Sequence, residues 1–417
     1  MKPRERLGYG ELVALTASVM ALNALAIDIM LPALGRVGEA LGAASDNDRQ
    51  LIVGVYIIAN GLAQPFFGPL VDRFGRRPVI LVALGGYILG SLVSIVAGAF
   101  SVLLAARAFQ GAATAAARVS IMASVRDQCS GRRMAKVMSL AVTIFMAAPI
   151  IAPSLGQVVL DVFPGEEAWR GVFVALLVYG LIIAAWAALR LGETLPPDQR
   201  RAIAIGPIMS AYGDFFRDRT AIGYTIVSGL AFGALFGFIN TSEQVFLELF
   251  EFGRRFPAVF AAVAGSLAAA SILNARLVER VGMRPLTHAA LVAFFAINVV
   301  HLALNAVYGD DARAYVVFMC ASFFMLGMIG PNTSALAMER MGHIAGSAAA
   351  AYGLVGTTGA GVLGALVGRA YAGATTPVIA GFVGFGAAAL ALAFWIERGR
   401  LFLATPPGAS AVEESGR

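Results

Sequence analysis

The chain has 417 residues, of which 59% are hydrophobic and only 13% are charged, and its mean hydropathy is +0.79. Soluble domains carry roughly 25% charged residues, so the composition excludes a soluble globular enzyme. The formal charge of +6 excludes little by itself, but its arginines are scattered over many short segments, whereas a nucleic-acid-binding protein gathers them on one soluble face. The composition therefore indicates an integral membrane protein.

Twelve apolar segments are each long enough to cross the hydrocarbon core of a bilayer as a helix. They lie at 12–33, 50–71, 79–99, 101–124, 135–160, 171–190, 221–243, 256–278, 285–306, 313–337, 344–371 and 376–396. The longest polar stretch follows the sixth segment and contains Pro196 and Pro197, which disfavour a continuous helix. We predict an all-α membrane protein with a six-helix bundle in 1–190, a linker in 191–220 and a second six-helix bundle in 221–417.

Arginines mark one side of the membrane. The N-terminal segment and the loops after even-numbered spans carry basic stretches such as "DRFGRR", "RDQCSGRRMAK" and "ERGR". The loops after odd-numbered spans are acidic or mixed, as in "DVFPGEEAWR" and "GDDAR". Short cytoplasmic loops are enriched in Lys and Arg, so we expect both termini in the cytoplasm.

An internal repeat relates the two halves. The segment "LVDRFGRRP" (70–78) follows the second span, and "LVERVGMRP" (277–285) follows the eighth, so Asp72 aligns with Glu279. Parallel repeats of this kind occur in one large class of transporters, whose substrate binds near the midplane between two halves that rock around it. The repeat predicts two pseudo-symmetric bundles.

Several motifs resemble those of the major facilitator superfamily. "GPLVDRFGRRP" (68–78) resembles its signature loop, "LLAARAFQGAATAA" (103–116) its span-four arginine motif, and "APIIAPSLG" (148–156) its span-five antiporter motif. "LAIDIMLPAL" (25–34), "VRDQ" (125–128) and "GETLPP" (192–197) are similar to the bicyclomycin and chloramphenicol exporter branch, Bcr/CflA. The resemblance implies a proton-driven exporter in a bacterial inner membrane.

The signature loop supplies the first group of candidate residues. Gly68 lacks a side chain, which lets helix backbones approach closely. Asp72 is expected to cap the positive N-terminal end of span eleven, leaving the nearby arginines free to pair with acidic groups or lipid phosphates. The resemblance implies that this contact latches the outward-open state; alternatively, the arginines only set the topology. The gating candidates in the two repeats are Gly68, Asp72, Arg73, Arg76, Arg77, Glu279 and Arg280.

Span five carries a second gating candidate. Pro149, Pro153 and Gly156 are spaced to lie close to one helical face. Each proline removes a backbone hydrogen bond and favours a bend, and the glycine permits close packing. The pattern is compatible with a gating helix and equally with ordinary tight packing.

Ionisable groups inside spans are costly unless they are paired or hydrated, so they are the sharpest functional candidates. Asp28 in span one and Arg107 in span four lie at similar depths, and we expect that they could meet. The resemblance ties the arginine to proton coupling and the acidic group to proton and drug binding. A purely structural ion pair is the alternative.

Further polar residues are predicted to bind substrate. Arg118 lies nearly in line with Arg107, so it either faces the cavity, favouring anionic or strongly hydrogen-bonding substrates, or extends toward lipid headgroups. Asn60 and Gln64 in span two either line the cavity or bond another helix. In span seven, Asn240 and Glu243 share a helical side; we favour Glu243 as a hydrated mouth residue over a second protonatable site.

The sequence predicts a transporter and no enzyme. It contains no GxxxxGK[ST] phosphate loop, so we do not expect ATP as the energy source. The resemblance implies the proton gradient instead, and we expect no cofactor or metal. The expected partners are a small molecule, protons and membrane lipids, with no nucleic acid, and we expect a monomer. The main prediction is proton-coupled export by alternating access. Uptake or facilitated passage of a small, anionic metabolite is a second hypothesis, and a non-transporting membrane sensor or lipid-translocating protein a third.

Overall fold

The computed structural model describes residues 7–129, 131–163, 165–200 and 203–403, and the residues it describes form helices, turns and loops without strands. The α-helices are α1 Tyr9–Asp28, α2 Leu34–Ala40, α3 Leu51–Phe74, α4 Arg76–Val96, α5 Phe100–Gln128, α6 Gly131–Val162, α7 Arg170–Arg190, α8 Ile205–Arg217, α9 Arg219–Glu243, α10 Phe256–Val281, α11 Met283–Tyr308, α12 Ala312–Met338, α13 Ala345–Arg369 and α14 Thr376–Ile396. Within the described ranges, twelve helical segments are long and apolar enough to cross a membrane, which confirms the predicted fold class. Span one comprises α1 and α2, spans two to six are α3–α7, and spans seven to twelve are α9–α14.

The chain divides into two compact units. Unit one comprises residues up to Gly206 together with 253–261, and unit two comprises Pro207–Phe252 and the residues from Ala262 onward. Five corresponding pairs of spans pack together inside each unit. In unit one these pairs are one with four, five and six, and three with four and six; in unit two they are seven with ten, eleven and twelve, and nine with ten and twelve.

Span one and span seven both lose α-helical geometry after an acidic residue. In span one, α1 ends at Asp28, and a 3₁₀ turn over Leu31–Ala33 precedes α2. Pro32 in that turn has no backbone N–H, so the α-helix cannot continue its hydrogen bonds through this segment. In span seven, α9 ends at Glu243 and continues as a π-helix over Gln244–Leu249. The sequence predicted neither interruption.

Candidate functional site

Asp28 lies at the break in span one. Its side chain is 3% exposed, and its Oδ1 atom has no hydrogen-bond partner among the described residues. Buried polar atoms are nearly always hydrogen-bonded, because leaving one unpaired costs free energy. Asp28 is therefore a buried carboxyl group with capacity for a proton or a donor group of a ligand.

Arg107 holds the backbone next to Asp28 without pairing with its carboxyl group. The fully buried guanidinium donates to Ala26 O at 2.7 Å, to Ile52 O at 3.3 Å and to the Gln110 side chain. It also lies 4.5 Å from the ring centre of Tyr56. The described residues contain no ion pair between Arg107 and Asp28, so the expected meeting of the two groups is corrected: the arginine's donors are directed at backbone carbonyls of spans one and two.

Gly156 brings span five against the same break. A Cβ atom at this position would lie 2.0 Å from Ile29 O, so only glycine permits the observed approach of the two backbones. Pro153 is buried one turn earlier, and Pro149 is half-buried within the continuous helix α6. Close packing against span one explains Gly156, and a gating role for the three residues stays a prediction.

Asn60 and Gln64 belong to a polar network between spans one, two and four. Asn60 donates to Gly111 O at 3.0 Å and to Asn23 Oδ1 at 3.4 Å, and Gln64 donates to Asn60 Oδ1 at 3.3 Å. Tyr56 donates to Asn23 Oδ1 at 3.2 Å. Of the two predicted roles, bonding another helix is the one observed for Asn60. Asn23 was not among the predicted site residues.

The remaining intramembrane candidates differ in exposure. Arg118 is exposed, whereas Asn240 and Glu243 are buried. Neither polar side-chain atom of Asn240 has a hydrogen-bond partner among the described residues. Because Glu243 is 5% exposed at the end of α9, its interpretation as a hydrated mouth residue is wrong for this structure.

The signature loop forms a charge cluster on the side of the membrane where the linker lies, here called the linker side. Arg76 donates through Nε to Asp127 Oδ2 at 2.8 Å and pairs with Asp72 at 3.1 Å. Arg73 lies 5.6 Å from the ring centre of Phe74. Of the expected partners of these arginines, acidic groups are the ones observed for Arg76, because Asp127 at the end of span four and Asp72 in the loop are close enough to bind it.

Arg77 and Glu193 connect the loop to the end of span six. Arg77 donates to Leu191 O and Ala188 O, each at 2.9 Å. Glu193 accepts hydrogen bonds from the backbone N–H groups of Arg76 and Arg77 and thereby caps α4. Arg76, Arg77, Asp127 and Glu193 form the linker-side cluster of unit one.

Gly68 does not make the close contact that its motif predicted. Among the residues that the structure describes, no atom would lie within 4 Å of a Cβ atom at Gly68. Gly111 in span four does make such a contact: a Cβ atom there would lie 2.2 Å from Tyr56 O. The expected contact of Asp72 with span eleven would join the two units and stays a prediction.

The corresponding cluster of unit two centres on a residue that the sequence analysis missed. Glu279 and Arg280 are exposed, whereas Arg284 is buried and pairs with Glu339 at 2.6 Å and Glu397 at 3.2 Å. Tyr224 donates to Glu397 Oε1 at 2.6 Å. Arg284, Glu339, Glu397 and Tyr224 form the linker-side cluster of unit two. The repeat itself held the signal, because Arg284 aligns with Arg77.

Comparisons with known proteins agree with this architecture. Residues 16–365 match the model of the Major Facilitator Superfamily. The chain is 30% identical over 356 residues to the uncharacterized MFS-type transporter YdgK of Bacillus subtilis, covering 84% of this chain and 86% of the relative. It is 28% identical over 369 residues to the bicyclomycin resistance protein homolog of Haemophilus influenzae, covering 85% and 88%.

Other matches cover less of the chain or concern the fold alone. The multidrug resistance protein MdtL of Escherichia coli is 28% identical over 249 residues, which cover 60% of this chain and 61% of MdtL. The E. coli xylose transporter XylE, in a partially occluded inward-open conformation, superposes with a TM-score of 0.69 at 11% identity, covering 93% of this chain and 97% of XylE. The human organic anion transporter MFSD10 gives 0.67 at 18% identity, covering 94% and 100%.

Proposed function

Because the chain belongs to the Major Facilitator Superfamily, we propose that this multi-pass membrane transporter is a proton-coupled antiporter. It exports small amphiphilic drugs or metabolites across the bacterial inner membrane by alternating access. The names of two relatives, a bicyclomycin resistance protein homolog and a multidrug resistance protein, support drugs as the substrate class. The energy source is the proton gradient, and no cofactor takes part.

The observation that carries the proposal is the buried Asp28 carboxyl with an unpaired oxygen at the break in span one. Two contacts flank it: Arg107 binds Ala26 O before it, and Gly156 packs on Ile29 O after it. A buried carboxyl group at a deformable point of a helix can exchange a proton when the local packing changes. Arg107 acts as the positioning residue.

Coupling follows if a proton and the substrate compete for Asp28. When the cavity faces the periplasm, a proton binds the carboxyl group; when it faces the cytoplasm, a donor group of the substrate replaces the proton. The two ligands then exclude one another, and reciprocal linkage couples their fluxes. The other proposed substrate-binding residues are Asn60, Gln64, Arg118, Asn240 and Glu243.

The linker-side loops are proposed to gate access. Asp72 with Arg73, Arg76 and Arg77 forms the gate of unit one, and Glu279 with Arg280 lies at the corresponding place in unit two. Pro149, Pro153 and Gly156 let span five follow the movement of span one, against which Gly156 packs. Such gates are small two-state elements whose equilibrium the ligands shift.

The test begins with a thermal-shift screen of purified protein against antibiotics including bicyclomycin, amino acids and organic anions at two pH values. With the best compound, wild type should bind more weakly as pH falls, and Asp28→Asn should bind almost independently of pH. In liposomes, Asp28→Asn should lose accumulation driven by a proton gradient and keep counterflow without one. If it keeps both the wild-type pH dependence and accumulation, Asp28 is not the coupling residue.

The proposed orientation has a separate test. A reporter fused after Arg417 should be cytoplasmic, and one inserted near Gly165 should be periplasmic. The reverse pattern would overturn the orientation while leaving the fold unchanged.

A further inference from the structure

Spans nine and ten border a small cavity on the side of the membrane opposite the linker, here called the far side. Its volume is about 320 Å³, within the range of roughly 300–1,000 Å³ that is typical of small-molecule sites. The described residues that line it are His301, Leu304, Asn305, Tyr308, Gly309, Asp311 and Ala314. All of them belong to unit two, and none is among the residues proposed for transport.

One wall of the cavity follows from the spacing of polar residues in α11. His301, Asn305 and Tyr308 are four and three residues apart, so they lie on one face of the helix. The Asn305 amide donates to Asp310 Oδ1 at 2.9 Å and to Thr375 Oγ1 at 3.1 Å. These two bonds hold the loop after span nine in place, and they thereby fix the far-side edge of the cavity.

His301 is the buried polar group of this cavity. The residue is 2% exposed, and its Nδ1 atom has no hydrogen-bond partner among the residues that the structure describes. The imidazole lies nearly parallel to the ring of Phe318, with 4.6 Å between the ring centres, and this stacking holds its orientation. Since buried nitrogen and oxygen atoms are nearly always hydrogen-bonded, the imidazole has capacity for a hydrogen-bonding ligand in the cavity.

The charges at the cavity favour a cation. Asp311 is exposed at the opening and uses one carboxylate oxygen to accept a hydrogen bond from Ala314 N at 2.7 Å. The carboxylate of Asp310 precedes it in the chain, whereas Arg313, the nearest basic residue in the sequence, is exposed and is not a lining residue. Carboxylates and the face of a tyrosine ring, here that of Tyr308, both attract a positively charged amine. An anion would be repelled.

We propose that this cavity binds small cationic amphiphiles that carry a second hydrogen-bond donor, such as aromatic amino alcohols. The ammonium group pairs with Asp311, and the apolar body packs on Leu304 and Tyr308. The second N–H or O–H group donates to His301. Such a ligand comes either from solution or from a lipid with an amine headgroup, because both present hydrogen-bond donors beside apolar carbon. The site is separate from Asp28 and does not depend on the proposed transport.

The test observes the imidazoles directly, because the chain has three histidines, which are His288, His301 and His343. The full chain, isotope-labelled at histidine for NMR, is titrated in uncharged dodecyl maltoside micelles with propranolol, an aromatic amino alcohol. The signals of His301, identified by their loss in His301→Phe, should shift saturably, whereas those of the other two histidines should not. The neutral naphthyloxy propanediol and the anionic naphthoxyacetate should each bind at least about threefold more weakly.

Three variants locate the binding. Asp311→Asn keeps a side chain that caps α12 and removes the charge, so it should weaken propranolol binding at least about threefold. Glu251→Gln removes an exposed carboxylate from the loop after span seven and is the matched control, which should bind like wild type. Asp28→Asn should leave the shift of His301 unchanged, and a shift that is lost in this variant would overturn the proposal. Full affinity in Asp311→Asn, or equal affinity for the neutral and anionic compounds, would overturn it as well.

Phosphatidylethanolamine added to the micelles separates the two sources of the ligand. If the lipid alone shifts the His301 signals and propranolol displaces it, the membrane supplies the amine; if only propranolol shifts them, the amine comes from solution. Either result supports the site. A lack of any saturable shift would show that the imidazole meets only water and would overturn the proposal. If His301→Phe fails to fold, His288→Gln and His343→Gln identify the His301 signals by elimination.

Discussion

The linker-side cluster of unit one uses two arginines where that of unit two uses one. In unit one, Arg76 binds Asp127 at the end of span four, and Arg77 binds backbone carbonyls at the end of span six. In unit two, Arg284 alone binds Glu339 after span ten and Glu397 after span twelve. The same three span ends are joined in both units.

The difference arises from one position of the repeat. Met283 stands where unit one has Arg76, so only Arg284 remains to bind both span ends. A guanidinium has donors enough for two carboxylates, provided both acceptors lie in its plane. Unit two compensates with carboxylates at both span ends, and it thereby depends on a single cation. The two halves of a duplicated sequence can thus join the same span ends through arginines at neighbouring positions of the repeat.

The largest expected effect is the loss of Arg284. We expect Arg284→Met to destabilise unit two by about 3–5 kcal/mol, because it leaves the buried carboxylate of Glu397 without its cation. Arg76→Met should cost less, about 1–3 kcal/mol, because Asp127 keeps a hydrogen bond from Thr194 at 2.8 Å and is partly exposed to water. Thermal and denaturant unfolding of the purified variants measures the order.

Arg280→Met serves as the control, since Arg280 is exposed in the same repeat. It should change stability by less than about 0.5 kcal/mol. If Arg76→Met destabilised the protein as much as Arg284→Met, the proposed difference between the two units would be wrong.

A second comparison concerns the crossing of spans two and four with that of spans eight and ten. In unit one, Gly111 approaches Tyr56 O, and Asn60, one turn after Tyr56, donates to Gly111 O. In unit two, Gly327 approaches Leu267 O, and Ser271, one turn after Leu267, donates to Gly327 O at 3.1 Å. In both crossings a glycine packs on a backbone oxygen, and a side chain one turn later donates to the carbonyl of that glycine. The repeat, however, aligns Leu267 with Asn60 and not with Tyr56.

We expect Gly111→Ala and Gly327→Ala each to cost about 1–3 kcal/mol, because the added methyl group would lie 2.2 Å and 2.4 Å from a backbone oxygen that cannot move alone. Gly68→Ala is the matched control and should be nearly neutral, since no atom in the described part of the chain lies within 4 Å of its added Cβ. Unfolding midpoints of the three variants provide the measurement. A neutral Gly327→Ala would show that the crossing in unit two is looser than that in unit one.

The fold could be predicted from the sequence because long apolar segments in a bilayer have few structural alternatives. The hydrogen-bond and ion-pair partners of individual side chains could not be predicted from the sequence. Arg107 was expected near Asp28 because both lie at one depth, but depth does not say whether a guanidinium binds a carboxylate or the carbonyls freed at a helix break. Arg284 was missed because the repeat was aligned on Asp72 and Glu279, whose exposure differs little from that of any loop residue.

Helix α8 was missed for a different reason. The proline pair and the charges of the linker pointed to an irregular segment, whereas the apolar stripe of Ile205, Met209 and Phe216 is too short to stand out in a hydropathy profile. The helical spacing of these three apolar residues can be recognised only when the segment is already assumed to be a helix. Short amphipathic helices next to spans therefore have to be sought by period and not by hydropathy.

A third prediction sharpens the comparison of the signature loops. Asp72 pairs with Arg76 in its own loop, whereas the aligned Glu279 is exposed. We expect Asp72→Asn to slow transport about tenfold or more, equivalent to ~1.4 kcal/mol, while substrate affinity stays within several-fold. Glu279→Gln should slow transport less than Asp72→Asn, because Glu279 is exposed. Transport rates and affinities measured in the same liposome preparations decide it, and equal losses of binding and transport would assign Asp72 a structural role.

The far ends of spans three and nine show the last contrast between the units. In unit one, Arg170 at the start of span six donates to Ile95 O and Ala97 O at the end of span three. In unit two, Asp310 after span nine accepts hydrogen bonds from Thr375, just before span twelve, and from Asn305 at 2.9 Å. A cation ties the first pair of spans and a carboxylate the second.

The smallest expected effect is therefore a dependence on pH in unit two alone. Partial burial would raise the pKa of Asp310, but hydrogen bonds from Thr375 and Asn305 outweigh it and hold the pKa below its ordinary value of 3.8. A carboxyl group whose folded-state pKa is lowered stabilises the protein above its unfolded-state value, and that contribution is lost as pH falls through the folded-state value. Wild type should accordingly be slightly more stable than Asp310→Asn at neutral pH, and the difference should shrink below about pH 4. Most of the loss caused by Arg170→Gln should remain across this range, because backbone carbonyls do not titrate and the carboxylate of Glu167, which also pairs with Arg170, is 65% exposed and contributes little. Unfolding midpoints at neutral pH and near pH 3.5 measure both differences, and a difference for Asp310→Asn that persists in acid would show that the tie in unit two does not depend on the charge of its carboxylate.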